Sequence, residues 1–331
     1  MILSNNKYEN IISAPIAGYT NWPLRRLFSK FGASRIFSEM IHVREIFFKE
    51  DFELPFLNID YKFTIQLFGS VDDDFIKAGE IALKFCDNID INSGCPAKKV
   101  IKAGGGSFWL KDIDRFSKKI YEISNRFPYK VSVKIRLGFT KPQIVEILDS
   151  IKDAKLAFIT IHMRTAQMLF SGKALYQYAD FIKNYKTKII LNGDISDPYF
   201  AKEVLDKYEC SGIMIGRAAL SDPSIFKQIN DFLRTGKFFV TDKIQKINNC
   251  IDYIDNLLIY LDFYSAKNNK NKNEDRYSKF LRSSIVESRK ILFTLSKKIP
   301  FANKIKEKIL KILTIEDLLE LKKEFHVFQT L

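Results

Sequence analysis

Ile89-Asp90-Ile91-Asn92-Ser93-Gly94-Cys95-Pro96-Ala97-Lys98-Lys99-Val100 runs from a short apolar stretch into a turn shaped by Gly94 and Pro96. A thiol at the exit of a buried strand, with two lysines just beyond it, stands where α/β scaffolds keep their reactive groups. The same grammar repeats along the chain. Short apolar runs at 11–15, 35–38, 63–67, 88–91, 131–135, 157–161, 188–191 and 212–215 are predicted strands, and amphipathic stretches follow most of them. Helices are predicted over 21–31, 111–125 and 197–207, the last behind the cap-like Ser196-Asp197-Pro198. Eight strand–helix units within about 235 residues fit a (β/α)8 TIM barrel better than an open doubly wound sheet.

Nearly every strand exit carries a polar or glycine-bearing group. They read Ala14-Pro15-Ile16, Ser38-Glu39-Met40, Gln66, Asn92 with Cys95, Lys134 with Arg136, His162 with Arg164, Asn192-Gly193-Asp194 and Gly216-Arg217. Groups that track the strand period form a ring on one face of a barrel, which scattered surface charge would not do. After residue 240 the pattern changes. Four helical stretches remain, about 242–264, 274–297, 300–312 and 316–327, and the Asn/Lys-rich Lys267 to Asp275 reads as a solvated connector. Phe301, Ile305, Ile309 and Ile312 share one helical face, with Lys304, Lys308 and Lys311 off it. The reading is therefore α/β: a barrel over residues 1–240, then a smaller all-helical C-terminal domain over 241–331.

Composition limits what such a chain can do. An apolar content of 46% argues for a well-cored globular protein. No apolar stretch is long enough to cross a bilayer, and Met1 to Glu9 lacks a signal-peptide pattern, so a cytoplasmic protein is expected. The four cysteines (Cys86, Cys95, Cys210, Cys250) are scattered, without Cys-x-x-Cys or paired histidines, so neither a metal site nor a disulfide framework is expected. The net charge of +14 suits a polyanionic partner. Residues 241–331 carry 18 Lys/Arg against 12 Asp/Glu, so both parts are basic and one polyanion could bridge them. A lysine-rich composition explains part of that excess, and no single basic run decides the question.

Ala14-Pro15-Ile16-Ala17-Gly18-Tyr19-Thr20, Gln66-Leu67-Phe68-Gly69-Ser70, Asn92 to Val100, Lys134-Ile135-Arg136, Ile161-His162-Met163-Arg164-Thr165, Asn192-Gly193-Asp194-Ile195 and Met214-Ile215-Gly216-Arg217-Ala218-Ala219 together resemble the tRNA-dihydrouridine synthases. The Gly-Cys-Pro-Ala-Lys-Lys-Val stretch is most similar to the bacterial B-type subgroup. The resemblance spans roughly residues 8–235 in unbroken order, and the helical tail matches in size and position with weak motif content. The family carries Gly where this chain has Met163, which bears on local loop shape.

The resemblance implies an FMN enzyme that reduces the C5=C6 bond of uridine in tRNA, with rRNA the alternative target and NADPH, or else NADH, as electron donor. A monomer with no metal and no membrane partner is expected. Cys95 is then the acid that protonates C5, since a thiol near its reference pKa of about 8.5 keeps its proton at neutral pH. Otherwise it is a small buried hydrophobe, the ordinary role of a free cysteine. Lys134 is implied beside the flavin N1/O2 edge, with a structural ion pair as the alternative. Gln66 offers both donor and acceptor to the ring, Pro15, Ile16 and Ala17 flank it, and Asn92 orients flavin or uracil. His162 is implied near the flavin or its phosphate-bearing chain, and Arg164 near the substrate; a lone strand-end histidine is as often a satisfied core residue.

The phosphate site has independent physical support. Asn192-Gly193-Asp194 follows strand seven and Gly216-Arg217 follows strand eight, the two loops where barrels often bind phosphate. Gly216 is expected to let backbone approach closely and Arg217 to supply a charged fork. Lys98, Arg136 and Arg164 are candidate RNA contacts, with Lys99 beside them. Gly104-Gly105-Gly106 is not a dinucleotide fingerprint and is expected to be a mobile loop closing on substrate. Two other readings stay open: a flavin barrel acting on a small pyrimidine, similar to dihydroorotate dehydrogenases, and a non-catalytic RNA-binding barrel.

Overall fold

The computed structural model describes residues 2–48, 60–268, 274–297, 299 and 302–330. Eight parallel strands occupy Ile11–Ser13 (β1), Ile36–His42 (β2), Phe63–Phe68 (β3), Asn88–Ser93 (β4), Val131–Arg136 (β5), Phe158–His162 (β6), Ile189–Asn192 (β7) and Gly212–Ile215 (β8). They pair in the order β1-β8-β7-β6-β5-β4-β3-β2. A parallel bridge between Ile12 and Arg35, with Ser13 N–H donating to the Arg35 carbonyl, closes the β1–β2 seam. The result is a (β/α)8 barrel with a helical C-terminal addition.

Every predicted strand is present. β2 runs four residues further than its apolar run because pairing with β3 resumes after an irregularity between Phe37 and Met40. Polar Ser38 and Glu39 occupy that bulge and hide the continuation from an apolar-run reading.

Alternation explains the barrel's two faces. Ile65, Ile89, Ile91, Val131, Val133, Ile135, Ile159, Ile161, Leu191 and Ile213 are fully or almost fully buried in the large cluster between sheet and helices. Residues of the opposite parity point inward. Leu3, Ile12, Ala14, Phe37, Phe158, Ile190 and Met214 form a small interior apolar plug. Thr64, Gln66, Asn88, Asp90, Asn92, Ser132, Thr160 and His162 fill the rest of the lumen and are almost wholly buried. Half of the strand positions in β3–β6 therefore solvate a ligand or one another, while the other half hold the fold.

The helices are Trp22–Lys30 (α1), Val43–Phe48 (α2), Phe75–Ala82 (α3), Lys98–Lys102 (α4), Ile113–Arg126 (α5), Ile144–Ser150 (α6), Pro198–Lys207 (α7), Arg217–Ser221 (α8), Ile225–Thr235 (α9), Lys243–Asn268 (α10), Glu274–Leu295 (α11), Ala302–Lys311 (α12) and Ile315–Thr330 (α13). Asn21 caps α1 through Leu24 N–H, Asp112 caps α5 through Arg115 N–H, and Asp197 caps α7 through Phe200 N–H. The cap at Asp112 starts α5 two residues later than predicted; Gly106–Lys111 is a 3-10 turn instead. After β6 a 3-10 stretch, Tyr176–Asn184, replaces the usual α-helix.

The four C-terminal helices lie close to their predicted spans. α10 docks on α1: Trp22 stacks on Tyr260 at 5.8 Å, Asn21 donates to the Tyr253 hydroxyl, and Lys30 pairs with Asp252. Ile305, Ile309 and Ile312 are buried as their stripe requires, whereas Phe301 lies outside the described residues. Of the expected connector, Lys267 and Asn268 end α10, Glu274 and Asp275 begin α11, and the rest lies outside the described residues. Among the described residues, no helix is long and apolar enough to cross a membrane, and no cluster of side chains is arranged to hold a metal ion.

Candidate active site

The carboxyl ends of the strands surround a cavity of about 800 Å³. Its size lies within the range of roughly 300–1,000 Å³ typical of small-molecule sites. Pro15, Ile16 and Ala17 form one wall, Gln66, Asn92 and Cys95 a second, Lys134, Arg136 and His162 a third, and Asn192, Gly193, Asp194, Gly216 and Arg217 a fourth. The residues that separate reasoning along the chain ties to chemistry thus meet at one place, save two.

Cys95 is held by its own strand. The Asn92 side-chain oxygen accepts from Gly94 N–H at 3.1 Å and from Cys95 N–H at 2.9 Å, closing an Asx-type turn at the end of β4. From the other side, the Cys95 carbonyl accepts from Ser107 N–H and from the Ser107 hydroxyl, both at 3.0 Å. Burial pushes the thiol pKa up, against the pull of the Ala97 N–H, Arg136 and Lys134. The sulfur therefore carries a proton at neutral pH and faces the cavity partly covered.

The glycines at 104–106 are not a mobile flap. Gly105 and Gly106 are buried, and Gly106 sits at φ +60°. A Cβ there would lie 2.6 Å from the Cys95 carbonyl oxygen and 3.0 Å from Cys95 Cβ. Close approach, not flexibility, requires glycine, and the segment braces the cysteine turn.

On the opposite side cations gather. Lys134 donates to the Asn192 side-chain oxygen at 3.3 Å, and enclosure lowers its pKa to about 8. Arg136 is 3% exposed; its guanidinium holds the carbonyls of Gly94, Thr165 and Leu169 while lining the cavity. Burial and the neighbouring Arg164 and Arg217, partly offset by Cys95, lower its pKa to about 10. His162 has a buried Nδ1 without a hydrogen-bond partner among the described residues. Burial first, then Lys134, Arg136, Arg164 and Arg217, hold its pKa far below the ordinary imidazole value, so it is neutral.

Asp194 ties this side together at φ +54°, a strained position for a residue with a side chain. It accepts from Arg164 at 2.8 and 2.6 Å, from Arg217 at 3.0 Å and from Ala174 N–H. Burial alone would raise its pKa, but those partners hold it below the usual carboxylate range.

Two expected RNA contacts stand elsewhere. Arg164 is 1% exposed and committed to Asp194 and to the carbonyls of Ser171 and Gly172. A guanidinium so enclosed is a brace for the loop after β6 and has no free face for a nucleic acid. Lys98 is exposed on α4, outside the cavity wall. Met163, the departure from the family's glycine, turns into the outer core, fully buried, between the inward His162 and the braced Arg164. At Gly216 an added Cβ would meet only Ala14 among the described residues, at 3.7 Å, so close packing does not demand glycine there. The space it leaves opens on the cavity.

Phe170, Met40 and Asp90 are among the lining or supporting residues to which the sequence reading gave no site role. Phe170 is 55% exposed at the mouth, with the Arg136 and Arg217 guanidinium carbons 5.3 and 5.2 Å from its ring. Met40 lines the wall from the β2 bulge. Asp90, buried within the apolar-looking run, accepts from Ser132 at 2.6 Å and Gln66 at 2.7 Å. Burial raises its pKa to about 6 against those hydrogen bonds and Lys134. Its shared parity with Asn92 was the available signal.

The dihydrouridine synthase (Dus) profile matches residues 12–311. The chain belongs to the dihydrouridine synthase family. It is 33% identical over 243 residues to a probable tRNA-dihydrouridine synthase of Aquifex aeolicus (strain VF5), spanning 69% of this chain and 74% of that one. It is 36% identical over 239 residues to tRNA-dihydrouridine synthase B of Escherichia coli (strain K12), with the same coverage. Among solved structures, the old yellow enzyme homologue from Zymomonas mobilis superposes with a TM-score of 0.51 at 12% identity, over 70% of this chain and 90% of that one. Histamine dehydrogenase from Rhizobium sp. 4-9 gives 0.52 at 10% identity, over 75% and 49%. At those identities the likeness is one of fold.

Proposed function

We propose that this dihydrouridine synthase reduces the C5=C6 bond of uridines in tRNA to 5,6-dihydrouridine, with FMN as bound flavin and NADPH as its reductant. One observation carries the reading: Cys95 and a cluster of under-compensated cations open on the same cavity. Among the described residues, a buried His162 Nδ1 without a hydrogen-bond partner, and a Lys134 ammonium that lines the cavity and is hydrogen-bonded to the neutral Asn192 oxygen, fit an anionic ring system rich in acceptors. When bound, the reduced flavin supplies the hydride that C6 of the uracil receives.

The chain's own groups do the rest. Lys134 stabilises negative charge at the ring edge. Asn192, Gly193, Gly216 and Arg217 hold the phosphate, with Asp194 and Arg164 keeping Arg217 in place. His162 stays neutral and offers a donor and an acceptor. Cys95 delivers the proton on its sulfur to C5, and the positive charge of Arg136 and Lys134 stabilises the thiolate until solvent restores the proton.

A stacked uridine cannot reach this cavity. The target nucleotide must be extruded at a cost of a few kcal/mol, which phosphate contacts offset. Exposed Lys98 and Lys99, beside the cysteine turn, and the basic residues 241–331 are assigned those contacts, with residues 1–240 as the catalytic part. The family match and the +14 charge support RNA over a free pyrimidine and over an idle barrel.

The test is direct. Purified full-length protein is expected to carry a flavin absorbance band that NADPH bleaches without oxygen, and then to add two hydrogens to uridines of unmodified tRNA, read by mass spectrometry. Cys95→Ala is expected to keep the flavin and its bleaching but lose RNA reduction. Colourless protein that binds no FMN, or normal turnover by the variant, would refute the assignment.

A further inference from the structure

We propose that Asp90 is a positioning residue that sets the sense of an amide relay inside the barrel and thereby fixes the Cys95 turn. The relay links three strands, β3, β4 and β5. Ser132 on β5 donates to one Asp90 oxygen at 2.6 Å, and the Gln66 amide on β3 donates to the other at 2.7 Å. Gln66 is then obliged to present its oxygen upward, where it accepts from the Asn92 amide at 2.8 Å. Asn92 in turn presents its oxygen to Gly94 and Cys95 N–H at 3.1 and 2.9 Å.

Each amide can point either way, so the order of donors and acceptors needs an anchor. An ionised carboxylate is acceptor-only and supplies it. Were Gln66 to flip, its oxygen would face the carboxylate and its NH2 the Asn92 side chain. Asn92 would then offer a donor to two backbone donors, and the turn would lose both bonds. Asp90, Gln66 and Asn92 are each less than a tenth exposed, so water cannot readily repair the mismatch. Asp90 lies below the cavity wall and touches no ligand position; it acts through Gln66 and Asn92.

The experiment uses the full-length chain, with iodoacetamide as the probe and peptide mass spectrometry as the readout. Asp90→Leu removes both acceptor oxygens while keeping the branching of the side chain. Cys95 is expected to alkylate about tenfold faster, matching the loss of one hydrogen bond to a charged group, while the buried Cys210 and Cys250 keep their wild-type rates. Asp90→Asn keeps the size and burial but is itself an amide that can point either way, so it is expected to give a Cys95 rate between those of wild type and Asp90→Leu. Global loosening behaves differently, speeding all three cysteines together. That result, or a Cys95 rate unchanged in Asp90→Leu, overturns the proposal. If Asp90→Leu does not fold, Gln66→Met breaks the relay one step later, and an unchanged Cys95 rate there overturns it equally. Single-turnover tRNA reduction is a separate arm, since it rests on the proposed function: selective alkylation with undiminished turnover leaves the relay standing and removes Cys95 from the acid role instead.

Discussion

Placing a methyl group at Gly106 tests whether the 104–106 segment braces the cysteine turn. The backbone there is left-handed at φ +60°, which costs an alanine about 1 kcal/mol. Gly236 supplies the reference, because it has φ +71° with nothing within 4 Å of an added Cβ. Gly236→Ala should therefore lose only that backbone term. At Gly106 the new carbon would also meet a backbone oxygen at 2.6 Å, Val100 Cγ1 at 2.9 Å and Cys95 Cβ at 3.0 Å. Overpacking of that kind costs a further 1–3 kcal/mol or so, giving about 3 kcal/mol in all. The oxygen is the one that Ser107 holds, so relief of the clash must move the Cys95 backbone. Displacing a catalytic atom by about 1 Å can cost on the order of a hundredfold in rate. Urea midpoints measure the first quantity and single-turnover tRNA reduction the second. Gly106→Ala indistinguishable from Gly236→Ala in both assays would refute the bracing role and restore the picture of a mobile loop.

Three further outcomes are expected. Arg217→Ala should weaken FMN retention about tenfold, because its charged fork is lost while Arg164 still holds Asp194; unchanged FMN affinity, measured by fluorescence titration, counts against the phosphate assignment. Lys134 has a pKa near 8 in the fold and 10.5 when free, so between those values the unfolded chain binds the extra proton and the stability of flavin-free protein rises with pH. Lys134→Met should abolish that rise in urea midpoint between pH 8 and pH 10.5 and should also lose flavin; a parallel rise in the variant would show that another group is responsible. RNA affinity should fall steeply with salt in a filter-binding series, and a flat response would undercut the basic surface as the RNA-binding face.

Local pattern was sufficient for the barrel. Period-two alternation in Asn88–Ser93 and Val131–Arg136, with caps at Asn21 and Asp197, is a property of neighbouring residues and survives without knowing what they touch. The ring of strand exits was legible for the same reason, since parallel strands of one barrel bring all their carboxyl ends to one face. Pairing partners were not legible. Whether Arg164 met RNA or Asp194, whether Gly106 bent freely or packed on Cys95, and whether Asp90 belonged to an apolar run or to a relay all depend on contacts between residues 11 to 42 positions apart. A charge, a glycine or a carboxylate is a set of capacities in the chain, and only the closed barrel, by excluding water and fixing neighbours, decides which of them is used.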